Sequence, residues 1–152
     1  MAVKFNTLWA ALILVIGLGT PALGEVAKVN TNESGIAIEG YDPVAYFEES
    51  KPMKGLTKFR ATHEGATFQF ASSHHMTLFK KDPAKYIPAY GGYCAFGMRY
   101  GQVSRIDPHA WEIVDGKLYL ALNHGTRAIW QKKKDENITI ANKLWGKLTT
   151  TQ

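Results

Sequence analysis

Two runs of alternating apolar and polar residues, each folded back on a two-residue turn, constrain this chain more than any other feature. Over residues 57–71, Phe59 and Ala61 alternate with Lys58, Arg60 and Thr62, Glu64-Gly65 supplies the turn, and Phe68 and Phe70 alternate on the return. A period of two is that of a half-buried strand. Trp111 and Ile113 lead into Asp115-Gly116, and Leu118, Leu120 and Leu122 return on one face. Asp-Gly is a favoured hairpin turn. Between the hairpins, Ser72 or Ser73 caps a helix that runs to Lys81, shows Leu78 and Phe79 as its apolar face, and is stopped by Asp82-Pro83. The glycines of Tyr90-Gly91-Gly92-Tyr93 turn the backbone ahead of a helical segment over residues 93–100. Two helices, over residues 126–134 and 137–148, finish the chain with Ile129, Trp130, Ile138, Ala141, Leu144, Trp145 and Leu148 at helical spacing. Strands and helices that cluster rather than alternate predict an α+β fold, a small single domain of two β-hairpins and several short helices. Phe68, Phe70, Phe79, Trp111, Leu118, Leu120, Trp130 and Trp145 form the expected core.

The first residues read as an export signal. Lys4 precedes an apolar run over residues 8–19, and Ala22 and Gly24 offer small residues where a signal peptidase cuts. The run is short for a bilayer span, which takes about 20 residues. The expected product is a periplasmic or secreted domain of residues 25–152 with residues 1–24 removed as signal peptide and no stable membrane anchor. Residues 25–35 are polar and read as a loose lead-in. Loss of Lys4 lowers the net charge from +5 to +4. That mild, mixed charge excludes a nucleic-acid binder, since Lys132-Lys133-Lys134 is the one basic run and reads as the solvated end of a helix. Cys94 is the single cysteine, which excludes a disulfide framework in a compartment that permits one. A lone thiol is then a buried inert group, a metal ligand, a reactive nucleophile or an intermolecular bridge.

The segments Gly40-Tyr41-Asp42-Pro43-Val44-Ala45-Tyr46-Phe47, Thr67-Phe68-Gln69-Phe70-Ala71-Ser72, Phe79-Lys80-Lys81-Asp82-Pro83-Ala84-Lys85-Tyr86 and Tyr90-Gly91-Gly92-Tyr93-Cys94-Ala95 resemble the exported branch of the YHS-domain family. The resemblance continues through Asp115-Gly116-Lys117-Leu118-Tyr119-Leu120 and implies a YHS-like core with a C-terminal helical extension. Cytoplasmic members of that family are similar to small metal-binding units, with cysteines in an Asp-Pro-Val-Cys segment, in a Tyr-Phe-Cys-Ser segment and a few residues beyond. Those positions fall here on Ala45, Ala71 and His75, so the resemblance implies that the thiolate site is lost and only one ligand position is kept.

A different set of donors remains. In a helix over residues 93–100, Cys94 and Met98 share a face. Thiolate and thioether suit Cu(I), and an imidazole from His75 completes a three-coordinate site. His74 lies about 100° around the same helix, so one of the two histidines points inward and the other away. The leading expectation is therefore copper sequestration or handover through Cys94, Met98 and His75 or His74, with a metal donor or acceptor protein as partner and the chain a monomer or weak homodimer. The alternatives are an interaction domain in which Cys94 is packed and inert, and a thiol-dependent redox protein. No Ser-His-Asp arrangement, paired-carboxylate motif, phosphate loop or His-Glu-x-x-His pattern favours an enzyme. His63, His109 and His124 read as a solvated residue beside a turn, a loop residue and a residue near a helix start.

Overall fold

A computed structural model describes residues 26–150; the leader read over residues 1–24 lies outside the described residues. The described residues form two separate two-stranded antiparallel sheets. The first pairs β1 (Leu56–His63) with β2 (Ala66–Phe70), and the second pairs β3 (Asp107–Val114) with β4 (Lys117–Ala121). Both hairpins turn where the sequence predicts. Glu64 and Gly65 have φ of 47° and 77°, and Asp115 and Gly116 have φ of 50° and 73°. Positive φ at both central residues is the turn whose twist matches the strands it joins. The helices are α1 (Ala45–Glu48), α2 (Ser73–Lys81), α3 (Pro83–Tyr86), α4 (Ala95–Met98), α5 (His124–Gln131) and α6 (Lys134–Thr150). The result is a small single α+β domain. Among the described residues no helix is long and apolar enough to cross a membrane.

The return strand of each hairpin is buried on both faces, and this divides the core. Leu118 and Leu120 of β4 point into one cluster with Phe68, Phe70, Phe79 and Cys94, while Tyr119 points into a second with Tyr90, Met98, Trp130 and Ala141. Alternation along a strand makes that division unavoidable. In the first cluster the Phe79 ring packs 4.8 Å from Phe68 and 5.1 Å from Phe70, fastening α2 to β2. In the second, Tyr119 lies 5.3 Å from Trp130. Six of the eight expected core residues are buried, but Trp111 and Trp145 are only partly so. Trp111 sits on the outer strand β3 in a T-shaped contact with Tyr46, and Trp145 keeps one side open along α6.

Caps decide where the helices begin and end. Ser72 accepts the His75 N–H at 3.1 Å and opens α2, and Asp82 accepts the Lys85 N–H at 3.3 Å and opens α3 behind Pro83. Asn123 accepts the Thr126 N–H at 2.8 Å, so α5 starts earlier than the expected residue 126. The break between the last two helices also falls earlier. The side chain of buried Asn137 donates to the Trp130 carbonyl at 2.7 Å, satisfying an acceptor at the end of α5 from within α6. The lysine run straddles this break rather than ending one helix. Lys132 is the C-cap of α5, and Lys134 opens α6 and reaches Glu112 at 2.8 Å.

Burial alone would raise the Glu112 carboxyl, but hydrogen bonds from Lys134 and Gln131 outweigh it and hold the group below its ordinary 4.5. A carboxyl depressed in the folded state contributes stability that is present above the unfolded value and lost as pH falls through the folded one. Glu112→Gln is therefore expected to cost about 0.5 kcal/mol near neutral pH, the scale of a partly solvated pair. In urea melts from pH 7 to 3 the difference from wild type should close on the acid side.

Candidate functional site

Among the described residues the best-connected polar group is Asp42, whose carboxylate is fully buried. Its Oδ1 accepts the N–H groups of Val44 at 2.8 Å and Ala45 at 3.4 Å. Its Oδ2 accepts the Ala71 N–H at 2.8 Å and the His75 Nδ1–H at 2.6 Å. One carboxylate thus joins the start of α1, the residue after β2 and the first turn of α2. With Nδ1 donating to Asp42, the His75 Nε2 faces Glu49, whose Oε1 is 3.8 Å away at the surface. Ala45, Ala71 and His75, the positions picked out by the resemblance, therefore meet around Asp42. Two of them contribute only backbone N–H groups. Sequence reading quoted Asp42 within a motif but assigned it no role, because its imidazole partner is 33 residues away.

The soft donors have separate surroundings. Cys94 is the N-cap of α4, with φ −57° and ψ 118°, and lies outside the helix expected to carry it. Its N–H pairs with the Ser104 carbonyl at 3.2 Å, and its backbone bridges to Leu120. These tertiary pairings delay the helix to Ala95, with Cys94 as its N-cap, whose carbonyl accepts the Met98 N–H at 3.0 Å. The thiol enters the first core cluster, where it is 2% exposed and its Sγ accepts the Leu122 N–H at 3.3 Å. The Met98 thioether is fully buried in the second cluster, beside Trp130 and Tyr119. Of the two adjacent histidines, His75 points inward and His74 is exposed, as helix geometry requires. Among the described residues no three His, Cys, Asp or Glu side chains form a group able to hold a metal ion. The other histidines are dispersed. His63 packs edge-on against Phe79, His109 lies on β3 rather than in a loop and meets the Tyr41 hydroxyl at 3.2 Å, and His124 opens α5.

A second feature escaped the sequence altogether. The lead-in is pinned, not loose. Val29 is buried, and Asn30 donates from its backbone to the Gly91 carbonyl at 2.9 Å and from its side chain to the Gly92 carbonyl at 3.1 Å. Gly91 has φ of +60°, and a Cβ there would lie 1.9 Å from the Lys28 carbonyl oxygen, so only glycine lets the two segments pass. This contact sets Lys28 on the rim of an open cleft of about 550 Å³. Tyr90, Tyr119 and Trp145 supply its aromatic walls, and Lys117 and Glu64 join Lys28 around it. The Tyr90 hydroxyl donates to Asn142 Oδ1 at 3.0 Å. Burial pushes the Tyr90 and Tyr119 phenols up and the Lys117 ammonium down. Lys117 Nζ donates to the Ala84 carbonyl at 3.2 Å.

Fold and site together define a small α+β domain clamped by a buried aspartate–histidine pair, with an enclosed thiol and an open aromatic cleft. No family model matches the chain, and neither the curated proteins nor the solved structures give a match.

Proposed function

We propose that this chain is an exported, non-enzymatic binding domain that works through the cleft beside Tyr90, with Cys94 and the Asp42–His75 pair as structural groups. One observation carries the reading: the thiol is enclosed and already accepts a backbone N–H, while the cleft is open and lined with aromatic rings and amines. A cleft of this volume lies within the range of small-molecule sites, and its lining brings amine, amide and carboxylate side chains together beside the aromatic rings. A buried thiol in apolar surroundings is inert until the structure opens. Cys94 in the native protein should therefore react with a disulfide probe at least about a hundredfold more slowly than in urea, the rate following rare openings of the core. Reaction at the unfolded rate would instead support a thiol-dependent function.

A second reading, sequestration or handover of a soft metal, copper before others, is favoured by His75. An imidazole whose Nδ1–H is held by a carboxylate has its tautomer and orientation set as metal-binding histidines do, with Nε2 as the donor. A copper site built with Cys94 and Met98 also requires those side chains to leave their separate clusters for one ion. The two readings part on copper retention.

A further inference from the structure

We infer that the cleft binds a small organic anion with a flat apolar body, its acidic group held between Lys28 and Lys117; this rests on the reading of the cleft as the working surface. The walls decide the body. Tyr90 and Tyr119 pack edge-to-face at 5.9 Å and are buried, so Trp145, 6.3 Å from Tyr90 and only partly buried, offers the cleft its accessible ring from α6. Such walls favour a planar apolar group over a sugar or a flexible polar chain. The amines decide the charge. Lys117 is partly desolvated, yet among the described residues its Nζ is met by the neutral Ala84 carbonyl alone. Among the described residues Lys28 and Lys117 enter no ion pair with a protein carboxylate. Lys28 and Lys117 line the cleft with one carboxylate, Glu64, and the Asp115 carboxylate lies close enough to act on the Tyr119 phenol, so the paired ammonium groups, not a net charge, select an acidic group. Asn142 adds to the donor side: its Oδ1 is occupied by the Tyr90 hydroxyl, which turns its amide hydrogens to other partners. Gly91 ties the device together, because it admits the Lys28 backbone over the turn.

The test uses 2-naphthoate and its neutral isostere 2-naphthamide as probes, followed by amide chemical shifts of the protein recovered from the cells that make it. Naphthoate should perturb residues 89–91, 117–119 and 142–149 and bind about tenfold more tightly than naphthamide, the worth of a charge-assisted contact. Lys117→Met and Lys28→Met should each weaken naphthoate about three- to tenfold and leave naphthamide unchanged, with Lys117→Arg close to wild type. Unchanged spectra elsewhere in each variant show that the fold survives. Equal affinity for both probes at the cleft would overturn the anion and leave the binding domain standing. Failure of both probes to perturb the cleft at millimolar concentration would overturn the cleft as working surface and the anion with it.

Discussion

Asp42→Ala should be among the most damaging single substitutions in the domain, costing about 3–5 kcal/mol. The carboxylate is fully buried and serves four donors, so its removal strands the N–H groups of Val44, Ala45 and Ala71 and the His75 imidazole in a site closed to water. Each buried donor left unsatisfied costs about 1–3 kcal/mol, and partial relaxation of α1 keeps the total below the sum. At this domain size the loss corresponds to a melting temperature lower by about 10–20 °C. Asp42→Asn separates charge from shape. It keeps one carbonyl acceptor but turns an amide nitrogen toward two donors, and should cost about 2–3 kcal/mol. His75→Ala should fall below both, because the carboxylate keeps its three backbone partners. Thermal unfolding of the three variants checks the order. A loss under 1 kcal/mol for Asp42→Ala would mean that water replaces the carboxylate.

Phe70→Ala is expected to cost about 3–5 kcal/mol, the range for emptying an aromatic site in a packed core. Phe70 is fully buried, and its ring lies 5.1 Å from Phe79, so truncation opens a cavity between β2 and α2 that neither element can close alone. Trp111→Ala should cost less, about 2 kcal/mol, although the side chain is larger. Its ring is partly solvated and meets Tyr46 in a T-shaped contact 5.2 Å away. Urea denaturation gives the comparison directly. A greater loss from Trp111 than from Phe70 would place the principal core on the other hairpin.

That ranking departs from sequence reasoning, which treated the two aromatics alike, and the reason is instructive. Alternation assigns a residue to a face but not to a depth, and depth here depends on which strand of each hairpin is covered on both sides. Local signals read well: Glu64-Gly65 and Asp115-Gly116 demand backbone conformations that few other pairs adopt, Ser72 marks the start of α2 through its own side chain, and Asp82 marks its end, although Asp82 also caps α3, a helix the sequence reading did not separate. Short elements governed by tertiary pairing did not. The start of α4 is decided by the pairing of Cys94 with Ser104 and Leu120, which no helical periodicity records, and the copper geometry expected of Cys94 and Met98 rested on that start. The candidate site was legible only in pieces. His75 stood out as an imidazole at a position picked out by the resemblance, but its bond to Asp42 spans 33 residues. The cleft depends on a glycine passing under the Lys28 carbonyl, a contact between segments with no shared pattern.

An anaerobic Cu(I) titration against a competing chelator, run on wild type and Cys94→Ser, tests the structural role of the thiol most directly. With Cys94 and Met98 held in separate clusters, the two proteins should compete equally weakly, and neither should retain an equivalent of copper after gel filtration. One tightly held equivalent in wild type, abolished by Cys94→Ser and weakened by Met98→Leu, would contradict that assignment and establish the soft-metal site in its place.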